Sequence, residues 1–121
     1  MGEVAVPSLD PDHPDGLVVT ALSLPANKLN GTLPDVFADL PHLRELDLSL
    51  NYLKGAMPAS IGTLRYLTSL DLGYNYLMVS LKALAELRKL KSLSLRWNTL
   101  ITGSLEDIAP KLTVLRELDL H

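Results

Sequence analysis

The sequence contains no cysteine, so neither a disulfide frame nor a thiolate metal site is available, and stability must come from packed apolar side chains. Positive charge is not in excess either. Eleven Lys and Arg stand against 14 Asp and Glu, a net charge of -3 that offers no basic field for nucleic acid, and no nucleic-acid partner is expected. No apolar run approaches the roughly 18 residues that span a bilayer, so no membrane insertion of this segment is expected. The opening MGEVAVPS lacks the basic and apolar regions of a signal peptide, and Val6 stands where a myristoylation site requires Ser or Thr. The compartment is left open. An intracellular one is the first expectation, and an extracellular one is the alternative if the sequence is a trimmed piece of a longer chain.

Catalytic groups are equally sparse. The three histidines, His13, His42 and His121, fall in the N-terminal arm, in a turn and at the last position, with no partnered nucleophile, P-loop or dinucleotide fingerprint. Asp10-Pro-Asp12-His13-Pro14-Asp15-Gly16 resembles a calcium loop only superficially. Counting from Asp10, Pro14 falls fifth, where an oxygen ligand belongs, and Ala21 takes the place of the bidentate Glu. No catalytic residue, cofactor or metal is assigned, and the chain is not expected to be an enzyme.

What is abundant is leucine, and it recurs. Leu43-Arg-Glu-Leu46-Asp-Leu48-Ser-Leu-Asn51 superposes on Leu67-Thr-Ser-Leu70-Asp-Leu72-Gly-Tyr-Asn75 at a shift of 24, matching each first, fourth and sixth position and the asparagine. The same frame catches Val19 to Asn27, Leu90 to Asn98 and Leu115 to Leu120. Alternation in a short strand turns Leu46 and Leu48 inward and Asp47 outward, so parallel stacking of the units builds continuous leucine columns. At about 1.5 to 3 kcal/mol per buried leucine, stacked units offset a backbone entropy that one unit alone could not. Asn27, Asn51, Asn75 and Asn98 stand where each strand turns away. A primary amide both donates and accepts, which suits these four to a structural ladder along the turns.

This pattern resembles the leucine-rich-repeat family. The continuations Leu29-Asn-Gly31-Thr-Leu33-Pro34 and Leu53-Lys-Gly55-Ala-Met57-Pro58 resemble its plant-type subclass, found in receptor-kinase ectodomains and polygalacturonase-inhibitor proteins. The resemblance implies an α/β solenoid, a curved stack with a parallel β-sheet on the concave face and turns or short helices on the convex face. Residues 1-16 then form an N-terminal arm or partial cap, entering through the Pro14-Asp15-Gly16 turn. Residues 17-121 form the repeat domain of about four and a half repeats, whose open C-terminal edge, with Leu115, Leu118 and Leu120, suits an edge partner or further repeats. The third return departs from the subclass: Lys82-Ala-Leu-Ala-Glu-Leu-Arg-Lys89 has a composition that favours helix.

The outward strand positions are the candidates for function. Leu50, Tyr74 and Trp97 share one column at the rim of the concave face with Arg96 beside them, and aromatics and arginine carry a disproportionate share of binding energy. Asp47 and Asp71 form an acidic column as secondary contacts. Tyr52 and Tyr76 are expected to stack between turns. Lys82, Arg88, Lys89 and Lys91 make a basic strip on the solvated convex side. Asn30-Gly31-Thr32 satisfies a glycosylation sequon. The family expectation is a protein or peptide ligand held on the concave face by a non-catalytic module. The alternatives are a ligand-sensing fragment of a larger receptor-kinase-like protein and an architectural subunit of a larger assembly.

Overall fold

The computed structural model describes residues 3-7 and 17-121. The Pro14-Asp15-Gly16 turn and the segment from Asp10 to Gly16 lie outside them. The leucine spacing produces the expected stack. Strands β2 (Leu17–Ser23), β4 (Glu45–Asp47), β6 (Ser69–Asp71), β8 (Ser92–Ser94) and β10 (Glu117–Asp119) pair in parallel, each with the corresponding strand of the next repeat. Leu22, Leu46, Leu70, Leu93 and Leu118 stand in register across this concave sheet. Strand β1 (Glu3–Pro7) runs antiparallel to β2 and covers the first edge of the sheet.

Burial follows position in the stack. Leu46, Leu70 and Leu93 are almost wholly buried, whereas Leu118 on the last rung is 41% exposed. The same leucine at the same repeat position therefore gains its apolar burial from the repeat on each side. Behind the concave sheet, Leu64, Leu87 and Leu112 fill the convex side together with Ile61, Leu84 and Ile108.

A second sheet, absent from the repeat reading, leads away from the asparagine turns. Strands β3 (Asn30–Thr32), β5 (Tyr52–Ala56), β7 (Tyr76–Ser80) and β9 (Leu100–Thr102) pair in parallel in that order. Its cause is period-two patterning. Leu77 and Val79 point inward and are buried, while Tyr76 and Met78 point outward and are exposed.

The third return corrects the helix expectation. Leu81–Leu84 forms a single 3-10 turn, as do Phe37–Asp39, Ala59–Thr63 and Leu105–Asp107 in the other returns. No described helix is an α-helix, and none is long and apolar enough to cross a membrane. The reason is spacing. An α-helix with its side chains is about 10 Å across, whereas rungs repeat at about 4.8 Å at the sheet, so tighter turns let successive returns pack more closely than α-helices would. Hydrogen bonds tie these turns together across repeats: the Ser60 N–H donates to Asp35 Oδ1 at 2.9 Å, and the Phe37 N–H donates to Ser60 Oγ at 3.1 Å.

Candidate functional site

The ladder asparagines set the geometry of the site. Asn75 is buried; its Oδ1 accepts the Leu53 N–H at 3.0 Å and its Nδ2 donates to the Leu48 and Leu72 carbonyls at 2.9 and 3.2 Å. Asn51 does the same one rung earlier, accepting from Asn27 and Leu29 and donating to Leu24 and Leu48. Asn98 accepts from Leu77 and donates to Leu72 and Leu95. Asn27, on the first rung, is exposed and its side-chain amide donates to the nearby Pro25 carbonyl.

Immediately before each ladder asparagine the chain must turn sharply out of the concave sheet. Ala26, Leu50, Tyr74 and Trp97 make that turn with φ of 54°, 58°, 56° and 56°. This left-handed conformation costs a residue with a Cβ about 1 to 2 kcal/mol, and a bulky residue adopts it only where its surroundings impose it. They do so here: the N–H groups of Leu50, Tyr74 and Trp97 donate to the Gly73, Arg96 and His121 carbonyls of the next rung at 2.9, 2.8 and 2.6 Å. The left-handed turn projects each side chain from the corner between the two sheets.

The result is a ridge. Leu50, Tyr74 and Trp97 occupy successive rungs, and Trp97 is the most exposed of them at 63%. The Tyr74 and Trp97 rings stack with centroids 6.3 Å apart and planes 15° from parallel. The Arg96 guanidinium lies over the Tyr74 ring at 5.5 Å, and its Nη1 is 3.3 Å from Asp119 Oδ2. The structure brings Leu50, Tyr74, Arg96 and Trp97 together.

Tyr52 and Tyr76 belong to the same region, contrary to the expectation that they stack between turns. Each starts a strand of the second sheet and is exposed, and both line a groove of about 370 Å³ with Leu50, Tyr74 and Trp97. They were legible only through the second sheet, whose outward positions alternate from Tyr76 to Met78.

The acidic column has a local structural duty. Asp47 Oδ1 accepts the Ser49 N–H and hydroxyl, Asp71 Oδ1 accepts the Gly73 N–H, and Asp119 Oδ1 accepts the His121 N–H. Each carboxylate thereby closes a turn two residues on. Burial pushes the Asp71 carboxyl above its usual range and repulsion from Asp47 and Asp119 adds to this, against the Gly73 hydrogen bond that lowers it. Beside the ridge, Asp71, Glu117 and Asp119 line a concave hollow of about 570 Å³ that reaches Leu50, Tyr74 and Arg96.

The opposite edge of the concave sheet is basic. Arg44, Lys91 and Arg116 are exposed in one column with Thr68, joined by N–H to carbonyl bonds from each rung to the one before. His42 stacks on Tyr66 at 5.9 Å, and the Lys89 ammonium sits 4.8 Å over the Tyr66 ring. Lys89 and Lys91 therefore face this edge, while Arg88 pairs with Glu86, so the basic strip is not one convex surface. Asn30 is exposed at the start of β3, with its Oδ1 accepting the Gly31 N–H at 2.7 Å. Among the described residues no cluster of His, Asp or Glu is placed to hold a metal.

Comparison with known proteins gives the family. Leucine-rich-repeat models match residues 18-77 and 86-104. The chain belongs to the leucine-rich-repeat family. A chain of the PEPR1-AtPEP1 crystal structure is 36% identical over 83% of this chain and 14% of its own length, with a TM-score of 0.75. The leucine-rich-repeat ectodomain of the receptor kinase SOBIR1 from Arabidopsis thaliana matches 98% of this chain and 76% of its own length, at 25% identity and a TM-score of 0.79. The plant peptide hormone receptor RGFR1, solved with RGF2, is 26% identical over 84% of this chain, with a TM-score of 0.77. This leucine-rich-repeat chain spans only 16% of that receptor chain. No curated protein sequence matches it.

Proposed function

We propose that this leucine-rich-repeat chain is a non-catalytic interaction module that binds a protein or peptide on its concave face, along the rim formed by Leu50, Tyr74, Arg96 and Trp97. Asp47 and Asp71 are secondary contacts. The observation that carries this reading is the ridge itself: three large apolar side chains on successive rungs, each exposed and each held by a main-chain bond to the next rung. A preformed surface of this kind binds with little ordering of its own. Its composition is that of an interface centre, where truncating an aromatic anchor costs about 2 kcal/mol or more. Peptide or protein ligands are favoured by the neighbours, since PEPR1 was solved with AtPEP1 and the hormone receptor RGFR1 with RGF2. A second reading, a ligand-sensing part of a larger receptor-kinase-like protein, is favoured by the match to 76% of the SOBIR1 ectodomain.

The test is affinity capture from source extract with the unaltered chain and with a Tyr74→Asn, Trp97→Asn double variant. Asparagine tolerates the left-handed turn, so the backbone is preserved, and matching circular dichroism spectra verify it. The expected outcome is loss of one specific captured protein in the variant. Equal capture by both forms would move the interface off the ridge and overturn the proposal.

A further inference from the structure

The ridge has a chemistry that narrows the ligand. Its own main-chain N–H groups at Leu50, Tyr74 and Trp97 are all spent on the next rung, so an incoming peptide finds no backbone ladder there to extend. What the surface offers is side-chain donors: the Trp97 indole N–H and the hydroxyls of Tyr52, Tyr74 and Tyr76, all on exposed residues. Such a surface suits a backbone that presents carbonyls and needs few partners for its own N–H groups. Proline has no N–H, and the polyproline II helix makes no internal hydrogen bonds. Aromatic-lined grooves take such segments elsewhere.

The spacing agrees. A polyproline II turn advances about 9.3 Å in three residues, and two rungs of the sheet advance about 9.6 Å. Leu50 and Trp97 are two rungs apart with Tyr74 between them. Leu50 and Trp97 therefore bracket one turn of the ligand, with the Tyr74 ring between them. A sugar would instead need an open ring face, and the Tyr74 ring at the centre of the ridge already carries Trp97 and the Arg96 guanidinium against it, so cellohexaose is left Trp97 and the flanking tyrosines to stack on. Charge supplies the last element. The adjoining concave hollow holds Asp71, Glu117 and Asp119 around one cation, Arg96, which is itself directed at Asp119.

We infer that the ridge binds a proline-rich segment in the polyproline II conformation, laid along the stack from Leu50 to Trp97, with a basic side chain of that segment entering the acidic hollow beside Tyr74. This rests on the ridge being the binding surface. Trp97 is the sole tryptophan, so its emission reports occupancy directly. The probes are a synthetic twelve-residue peptide with one arginine flanking two Pro-x-x-Pro turns, the same peptide with serine for every proline, the same peptide with glutamate for the arginine, and cellohexaose. Saturable change in Trp97 emission is expected with the first peptide, with Kd at least tenfold weaker for the serine and glutamate versions. Tyr74→Asn, with its melting temperature retained, is expected to weaken the first peptide at least tenfold. Equal affinity for the serine or the glutamate peptide, saturation by cellohexaose alone, or no saturable response to any probe would overturn the inference. If the extract partner still depends on Tyr74 and Trp97 in any of those cases, the ridge remains the interface and only its ligand class falls.

Discussion

Single residues do two separable jobs along the asparagine turns. Asn75 serves main-chain groups of three segments from a buried position, so Asn75→Ala leaves the Leu53 N–H without a partner in the interior, while the Leu48 and Leu72 carbonyls keep the Asn51 and Asn98 amides. At about 1 to 3 kcal/mol for one buried group left unmade, the variant is expected to lose about 1 to 3 kcal/mol in urea unfolding. One residue earlier, Tyr74 is exposed and its turn is held by the main chain. Tyr74→Asn relieves left-handed strain while losing a stack, so its unfolding free energy is expected to stay within about 0.5 kcal/mol of the unaltered chain. Asp71 adds a pH dependence. Its carboxyl is held above the usual range, so the folded chain binds more protons than the unfolded one, and stability present at low pH is lost as pH rises through the raised pKa. Asp71→Asn keeps an oxygen for the Gly73 N–H and removes the charge. Its melting temperature is expected to exceed that of the unaltered chain at pH 7, with the difference vanishing by about pH 3.

At the scale of elements, the concave strands were legible because the leucine spacing and the inward-outward alternation dictate the same rungs. The third return was not. Its local composition favours helix, but Leu84, Leu87 and Leu90 must all reach the core within one rung, and the turn packs closely on the preceding one where Gly62 meets Ala83. Gly62 makes that crowding testable. A methyl group there would run into the Ala83 carbonyl oxygen of the next return, which is main chain and cannot swing aside. Gly62→Ala is expected to destabilise by about 1 to 3 kcal/mol in urea unfolding, although alanine is the better former of regular structure. The second sheet was present in the sequence as the alternation of Leu77 and Val79 with Tyr76 and Met78. It was hidden because Gly55, with a φ of 81°, and Gly31, with a φ of 88°, break the same pattern in the earlier repeats. Leu50, Tyr74 and Trp97 were found from strand columns alone; Tyr52 and Tyr76 required knowing that a second sheet meets the first at that corner.

For the whole molecule, the repeats make a stack whose interior depends on neighbours more than on any single unit. Leu70, wholly buried at mid-stack, and Leu118, partly exposed on the last described rung, share one column. Leu70→Ala is expected to lose about 3 kcal/mol and Leu118→Ala at most about 1 kcal/mol, read from the urea midpoints of the two variants. Surface chemistry is segregated at this scale too: aromatic side chains at the asparagine corner, carboxylates down the middle of the concave sheet, and cations at its other edge. The ladder also gives the stack a direction. The amides of Asn51, Asn75 and Asn98 each reach back, so the turn N–H groups of one repeat are completed by the side chain of the repeat that follows. A unit spliced into such a chain answers to two neighbours, supplying the amide for the turn before it and borrowing one for its own. In-frame duplication of a whole repeat meets both demands at once, whereas a partial copy meets one at most, which gives this architecture a physical preference for lengthening by complete repeats.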